Sequence, residues 1–180
     1  MTKEIPLTKG MVTLVDDDWF DYLSQFSWYA KPNNNVSYAM RDVGARKSRV
    51  RVRMHRVIVG AKSGEFVDHI DGNGLNNQSA NLRICTKSQN GHNRGPNKNN
   101  RAGYKGVYRT TRGWVAKLMV NWANVVLGVY ETAEDAAIAY NHGAKELIGE
   151  FAFFNKVESW QDRVPVRSLD RRFLVGREKE

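Results

Sequence analysis

The stretch MHRVIVGAKSGEFVDHIDGNGLNNQSANLRICTKSQNGHNR, residues 54–94, decides the fold of the region around it. VDHID and NLRIC predict two short strands joined by a loop of glycine and asparagine, and TKSQN predicts a short helix capped by Thr86 or Ser88. If this hairpin packs on this helix, Asp68 and His69 face Asn90. Carboxylate and amide oxygens suit a hard divalent ion, so the stretch predicts a metal site beside an imidazole.

Residues 54–94 resemble the H-N-H nuclease motif of phage and intron-encoded homing endonucleases. The resemblance rests on the DHIDGNGLNN and NLRI blocks, on an upstream His55–Arg56 pair, and on asparagines twelve and twenty-one residues after His69. It implies a ββα-metal core. His55 either packs under that site or touches phosphate.

The resemblance also assigns roles. His69 is expected to be the general base, Asp68 and Asn90 the ligands of one Mg²⁺ or Mn²⁺, and Asn81 the residue that braces the loop and orients His69. His92 is the alternative ligand to Asn90. Asp71 precedes a glycine and is expected to cap the loop rather than to bind metal. The implied reaction is hydrolysis of a phosphodiester bond, for which a histidine with an ordinary pKa of about 6.5 is apt.

The charge of the chain favours nucleic acid as the partner. It has 28 Lys and Arg against 19 Asp and Glu, a formal net charge of +9. The first hundred residues carry fifteen basic and nine acidic residues, so most of the excess lies there. Arg49, Arg51 and Arg53 alternate with apolar residues, which is typical either of a solvated edge strand kept from pairing by charge or of a strand along DNA phosphates.

Downstream, a region rich in asparagine and glycine predicts a linker at 95–103. Residues 104–155 contain three strand-like runs and then a helix that begins after Thr132, with Asp135 completing a capping box. Trp114, Ala116, Leu118 and Val120 share the face of the middle strand that we expect to be buried. Residues 156–180 form a tail for which the pattern gives no prediction.

Residues 104–155 resemble the ethylene-response-factor (APETALA-two) type of DNA-binding domain, most specifically in LGVYETAEDAAIAYN. In that domain the sheet face opposite the helix enters the major groove. The resemblance implies that the following residues contact DNA: Lys105, Tyr108, Arg109, Arg112, Lys117, Met119 and Asn121.

The sequence therefore predicts an α+β protein: a β-rich basic region at 1–53, an H-N-H nuclease core at 54–94, a linker at 95–103 and a three-stranded antiparallel sheet packed on one helix at 104–155. The expected function is site-directed cleavage of double-stranded DNA by a monomer or homodimer that uses Mg²⁺ or Mn²⁺ and no nucleotide cofactor. The alternatives are a DNA-binding regulator with an inactive nuclease motif and, less well supported, an RNA-binding module.

Composition also bears on location. A single cysteine, Cys85, excludes an intramolecular disulfide and a cysteine zinc site. The opening MTKEIPLTKG lacks the apolar core of a signal peptide, and no apolar run approaches the roughly 20 residues that span a bilayer. We therefore expect a cytoplasmic protein, in a host cell if a phage encodes it, with no membrane partner.

Overall fold

A computed structural model describes residues 1–33 and 36–163. The chain divides into two compact units, Met1–Gly91 and His92–Glu180. Both units mix small antiparallel sheets with few helices, so the protein is a mixed α/β protein. In the described residues, none of the helices is long and apolar enough to cross a bilayer.

In its described residues, the first unit contains three small sheets and three short α-helices. In chain order they are β1 (Thr2–Pro6), β2 (Val12–Asp16), α1 (Asp17–Leu23), β3 (Tyr29–Asn33), β4 (Val36–Val43), β5 (Val50–Arg53), α2 (Met54–Ile58), β6 (Phe66–His69), β7 (Leu82–Cys85) and α3 (Lys87–His92), whose last residue opens the second unit. β1 pairs with β2, β4 lies between β3 and β5, and β6 pairs with β7, all antiparallel.

Alternation along β2 explains how the first unit builds its core. Thr13 and Val15 are fully buried while Val12 is exposed, which is the period of a strand with one buried face. The core that the strand joins is apolar and is drawn from every part of the unit: Ile5, Leu7, Val15, Leu23, Trp28, Ala30, Ala39, Met54, Ile58 and Leu82. The hairpin β6–β7 enters this core through Leu82.

Two elements of the first unit differ from the sequence analysis, which predicted neither β1 nor α2. The alternation of basic residues with Val50, Val52 and Met54 would carry the strand to Met54, but β5 ends at Arg53 and Met54 is the first residue of α2. Met54 is fully buried, so the chain turns into a helix where its side chain enters the core. The sequence KPNNN at residues 31–35 is typical of a turn, but two of its residues, 34 and 35, lie outside the described part of the chain.

Up to residue 163, the second unit is one sheet covered by one α-helix. β8 (Val107–Thr110), β9 (Gly113–Val120) and β10 (Ala123–Tyr130) form an antiparallel sheet with β9 in the centre, and α4 (Ala133–Leu147) packs on it. Ala116 and Leu118 of β9 are buried, as predicted. The predicted cap is confirmed, because the Thr132 hydroxyl oxygen accepts a hydrogen bond from the backbone N–H of Asp135 at 3.0 Å.

Small side chains let α4 lie close to the sheet. Ala136, Ala137 and Ala144 are fully buried, and a Cβ at Gly143 would lie 2.7 Å from Leu127. Beyond the helix, Trp160 is buried and stacks on Phe154 with ring centroids 5.2 Å apart. Most of the tail, residues 164–180, lies outside the described part of the chain.

Gly106 gives a stability prediction with a matched control. Gly106 and Gly103 both have positive φ, +73° and +74°, so alanine at either position carries the left-handed backbone cost of roughly 1–2 kcal/mol. A Cβ at Gly106 would also lie 2.3 Å from the Tyr140 ring and 2.4 Å from the backbone oxygen of Lys117, whereas nothing lies within 4 Å of one at Gly103. We expect Gly106→Ala to destabilise the second unit by about 1–3 kcal/mol more than Gly103→Ala in urea unfolding. Equal losses would show that the space beside Gly106 accepts a methyl group without cost.

Candidate active site on the β6–β7 hairpin

The hairpin buries a carboxylate and an imidazole at consecutive positions. Asp68 and His69 end β6, and each is 5% exposed. Asp68 lies opposite Arg83 and His69 opposite Leu82 in the antiparallel register. Consecutive strand residues project to opposite faces, so the two side chains leave β6 on different sides of the hairpin.

Asp68 is held by Arg83. Both Nε and Nη2 of Arg83 donate to Oδ2 of Asp68, at 3.0 and 2.8 Å, and the two side chains are only 14% and 6% exposed. Two donors on one carboxylate oxygen fix its orientation tightly. The carboxylate that the sequence marks as a metal ligand is therefore in contact with a guanidinium group.

Cys85 connects the Asp68 side of the hairpin with α3. It lies two residues after Arg83, so it shares a face with Asp68. Burial raises the pKa of the Cys85 thiol, the nearby Asp68 carboxylate adds to the rise, and Arg83 and the backbone N–H of Asn90 oppose it. The Asp68 carboxylate and the backbone N–H of Asn90 thus both lie beside Cys85. A shared ion between the two side chains stays a prediction.

The helix that carries Asn90 begins as the sequence predicts. Thr86 is its cap: the Thr86 hydroxyl accepts from the Gln89 backbone N–H at 3.2 Å, and the Gln89 side-chain oxygen accepts from the Thr86 backbone N–H at 2.8 Å. Asn90 follows in the first turn, where its backbone N–H donates to the Thr86 oxygen at 3.0 Å. His92, the alternative ligand, belongs to the second unit.

The side chains of Asp68 and Asn90 carry the type of ligand atom that magnesium and manganese ions prefer. Asp68 and Asn90 offer carboxylate and amide oxygens, and Mg²⁺ commonly binds through one or two protein ligands while keeping several waters. In the described residues there is no group of three or more His, Cys, Asp or Glu side chains that could hold a metal ion. Any ion at this site would therefore rely on water and phosphate oxygens for the rest of its coordination.

His69 contacts an asparagine that the sequence analysis did not single out. Nε2 of His69 lies 3.3 Å from Oδ1 of Asn77, which is fully buried. Burial lowers the pKa of His69, while the Asn77 hydrogen bond and the carboxylates of Asp71 and Asp68 act in the opposite direction. The net shift is downward, so the ring is neutral at physiological pH and able to accept a proton.

Asn81 braces the loop between the two strands. Its Nδ2 donates to Oδ1 of Asp71 at 2.9 Å and to the backbone oxygen of Asn76 at 2.8 Å, and its Oδ1 accepts from the Asp71 backbone N–H at 3.0 Å. The second part of the expectation, that Asn81 also orients His69, stays a prediction. The side-chain oxygen that the structure places at Nε2 of His69 belongs to Asn77.

Asp71 caps the loop, as expected. Its Oδ1 accepts from the Asn73 backbone N–H at 2.8 Å, and its Oδ2 accepts from Nδ2 of Asn76 at 2.8 Å. These contacts engage both carboxylate oxygens within the loop, which is the role predicted for an aspartate before a glycine.

An aromatic cluster surrounds the His69 ring. His55 of α2 meets it edge to face with ring centroids 5.0 Å apart, and Tyr38 of β4 lies 5.5 Å from His55 and 5.7 Å from His69. His55 is 6% exposed, which favours packing over contact with phosphate. Burial lowers the pKa of His55 to about 3, with smaller contributions from His69, Arg53 and Arg56. His55 is therefore a neutral packing partner.

The loop also lies very close to β4. A Cβ built on Gly74 would come within 2.5 Å of the Ser37 backbone oxygen and 2.7 Å of both Tyr38 and Val36. Only glycine leaves room for this contact. Tyr38 and Asn77 contact His69, and Gly74 holds the loop against β4. Only the glycine-rich character of the loop signalled any of these three residues in the sequence.

The comparisons with known proteins agree with this location. A family model described as HNH endonuclease matches residues 52–92. The protein named "Uncharacterized HNH endonuclease L560", from Acanthamoeba polyphaga mimivirus, is 35% identical over 154 residues, which cover 83% of this chain and 78% of the relative. The chain belongs to the HNH endonuclease family. No solved structure matches it significantly.

The family match runs from Val52 to His92, and all of it except His92 lies in the first unit. It covers β6, β7, α3 and the loop with Asn77 and Asn81, but Thr13 and Tyr38 lie outside it. Neither comparison bears on the resemblance of residues 104–155 to ethylene-response-factor domains, which remains a prediction.

The HNH segment continues into a basic sheet face. Arg51 pairs in register with Asp42 and Arg53 with Met40, and these residues share the face of Tyr38 because they alternate along the strands. The three predicted arginines, Arg49, Arg51 and Arg53, are exposed. The carboxylate oxygens of Asp42 lie 3.6 Å from Nη1 of Arg49 and 3.6 Å from Nε of Arg51, so Asp42 partly neutralises the positive charge of this face.

In the second unit the open face of the sheet carries three of the predicted DNA contacts. Tyr108 and Met119 are 48% and 50% exposed, and Nζ of Lys117 lies 4.6 Å from the centroid of the Tyr108 ring. Arg112 is exposed in the turn before β9. Asn121 lies beyond β9 in the two-residue turn with Trp122, where both residues have positive φ.

Two predicted contacts of the second unit lie elsewhere. Arg109 faces the helix side, because it pairs with Trp114, and its guanidinium group lies 5.2 Å from that ring. Tyr108 and Arg109 are consecutive in β8 and cannot share a face, so the predicted position of Arg109 is wrong. Lys105 turns inward: Nζ donates to the backbone oxygen of His92, and burial lowers the pKa of Lys105 to about 8.

Proposed function

We propose that this HNH family member is a metal-dependent DNA endonuclease of the homing type, with its active site at the β6–β7 hairpin. The observation that carries the proposal is that a buried carboxylate, Asp68, and a buried imidazole, His69, stand at consecutive positions inside the segment that matches the family. The basic face of the β3–β4–β5 sheet, which leads to Tyr38 beside His69, supports double-stranded DNA as the substrate.

The residues divide the chemistry between them. His69 takes a proton from a water molecule, whose oxygen attacks phosphorus. The bond from phosphorus to the 3′ oxygen breaks, and the leaving 3′ oxygen takes a proton from solvent. Asp68 and Asn90 would hold Mg²⁺ or Mn²⁺, which supplies stabilisation of the negative charge that develops on the phosphate and leaving oxygens.

The outward face of the second unit supports a targeting role. Tyr108, Lys117 and Met119 form an exposed, partly apolar surface with one cation, and Arg112 and Asn121 flank it at the two turns. We propose that this surface enters the major groove, as in ethylene-response-factor domains, with phosphate contacts supplying much of the affinity.

The test is incubation of the full chain with a mixture of double-stranded DNA fragments, with Mg²⁺, with Mn²⁺ or with EDTA. We expect cleavage with either metal and none with EDTA, and ends that carry 3′-hydroxyl and 5′-phosphate groups. Mapping the ends on each strand shows whether a monomer nicks or a dimer cuts both strands.

A second candidate is a DNA-binding regulator that does not cut. The observation in its favour is the Arg83 guanidinium group, which engages Asp68 where a metal ligand is expected. DNA binding that is insensitive to EDTA, with no cleavage product at any metal concentration, would select this candidate and contradict the endonuclease.

A further inference from the structure

A chain of buried hydrogen bonds leads from the amino-terminal hairpin to His69. The Thr13 hydroxyl donates to the backbone oxygen of Leu75 at 2.7 Å, Nδ2 of Asn77 donates to the Thr13 oxygen at 2.7 Å, and Oδ1 of Asn77 lies 3.3 Å from Nε2 of His69. Thr13 and Asn77 are fully buried, and His69 is 5% exposed. Fixed polar groups that are shielded from water hold their partners in defined orientations.

The hydrogen bond from Thr13 to Leu75 determines which group donates and which accepts in the two hydrogen bonds that follow it. A backbone carbonyl can only accept, so the single hydroxyl proton of Thr13 points to Leu75. The sulfur of Met54, at 3.9 Å, is a weaker and more distant acceptor. The Thr13 oxygen must therefore accept from Asn77, which turns the amide nitrogen of Asn77 toward Thr13 and its oxygen toward His69. An amide oxygen only accepts, so Nε2 of His69 carries the proton.

The backbone holds Thr13 in this place. The neighbouring residue Leu14 donates its N–H to the Leu75 oxygen at 2.9 Å and accepts from the Asn77 N–H at 2.8 Å. Farther along, Oδ2 of Asp16 accepts from the Ser79 N–H at 2.7 Å. β2 is thus joined to the loop of the nuclease motif by a parallel bridge between Leu14 and Asn76, beside the hydrogen bond between Thr13 and Asn77.

We propose that Thr13 is a positioning residue for the nuclease site: acting through Asn77, it holds the His69 ring in one orientation, as the Nε2–H tautomer. The expected effect on cleavage rests on the proposed function. The tautomer concerns the ring alone and is independent of cleavage. The proposal assigns to the amino-terminal hairpin, outside the family match, a direct influence on the chemistry.

Two pairs of variants isolate the hydroxyl group. Thr13→Val keeps the shape of threonine and removes its hydroxyl. Thr13→Ser and Thr13→Ala both lack the methyl group and differ from each other by one oxygen. A role in packing alone predicts that valine preserves the site and that serine and alanine disturb it equally. The positioning role predicts that threonine and serine behave alike, and that valine and alanine fail alike.

The readout is the ¹⁵N spectrum of the histidine rings at neutral pH, with the His69 signals identified by their loss in His69→Ala. We expect Nε2–H signals for His69 in the wild type and in Thr13→Ser. In Thr13→Val and Thr13→Ala the Asn77 amide is free to reverse, and we expect the ratio of Nε2–H to Nδ1–H tautomer to fall roughly tenfold, the effect of one ordinary hydrogen bond. The cleavage rate should fall in the same two variants and be restored by serine.

The outcomes separate this proposal from the proposed function. A wild-type His69 in the Nδ1–H form, or an unchanged tautomer in folded Thr13→Val, would overturn the positioning role. If valine does not fold, the serine and alanine pair decides the same question. A tautomer change without DNA cleavage by any form of the protein would leave the positioning network standing and contradict the endonuclease.

Discussion

Replacement of His69 by alanine is expected to lower the rate of DNA cleavage by a factor of about 100 to 10,000, the usual contribution of a positioned general base. The ring is buried, and its lowered pKa keeps it neutral and able to accept a proton. Single-turnover cleavage with Mg²⁺ in excess measures the chemical step. DNA affinity, measured with EDTA present, should be unchanged because the ring carries no charge.

The control for His69→Ala is His142→Ala, which removes a histidine of α4 whose Nε2 contacts the backbone oxygen of Trp160 at 3.1 Å. This variant should cleave at the wild-type rate. Added imidazole should restore part of the activity of His69→Ala, because a small base can enter the space left by the ring. Wild-type cleavage by His69→Ala would show that the ring is not the base.

The second large effect concerns stability in acid. The pKa of His55 falls from 6.5 to about 3 on folding. Between pH 3 and pH 6.5 the unfolded chain binds more protons than the folded one. The free energy of unfolding is therefore highest above pH 6.5 and decreases as the pH falls below that value. By pH 4 the free energy of unfolding has decreased by about 3 kcal/mol, because each pH unit below 6.5 removes about 1.36 kcal/mol. The lowered pKa of His69 acts in the same direction.

His55→Phe tests this pH dependence. Phenylalanine keeps a ring against Tyr38 and His69 but cannot take up a proton. We expect urea unfolding of the first unit to show a smaller loss of free energy between pH 7 and pH 4 than in the wild type. Tyr38→Phe is the control, because it alters the same cluster without changing a group that titrates in this range. An unchanged pH dependence in His55→Phe would mean that His55 is not held neutral.

The sequence predicted the elements that local patterns specify. Alternation and turn residues located β6, β7 and β9, and the Thr86 and Thr132 caps marked the starts of α3 and α4. These signals lie within a few residues of the structure that they determine, so one sequence is enough to find them.

The contacts that the sequence missed depend on distant pairing. Thr13 reaches Asn77 across 64 residues, and nothing in the local pattern of β2 indicates that partner. The loop contains several asparagines, and the sequence analysis assigned a role only to Asn81. Nothing in the sequence distinguished Asn77 from the others. The wrong face for Arg109 has a simpler cause, since strict alternation along β8 excludes it from the side of Tyr108.

The contact at Gly74 joins the nuclease loop to a strand whose residues all precede the HNH match. A mutation that enlarges this glycine would push the loop off β4 and move Asn77 with it. The arrangement of the HNH segment therefore depends on the sheet that contains β4. Grafting residues 52–92 onto another scaffold would transplant the reactive side chains without the surface against which they are aligned.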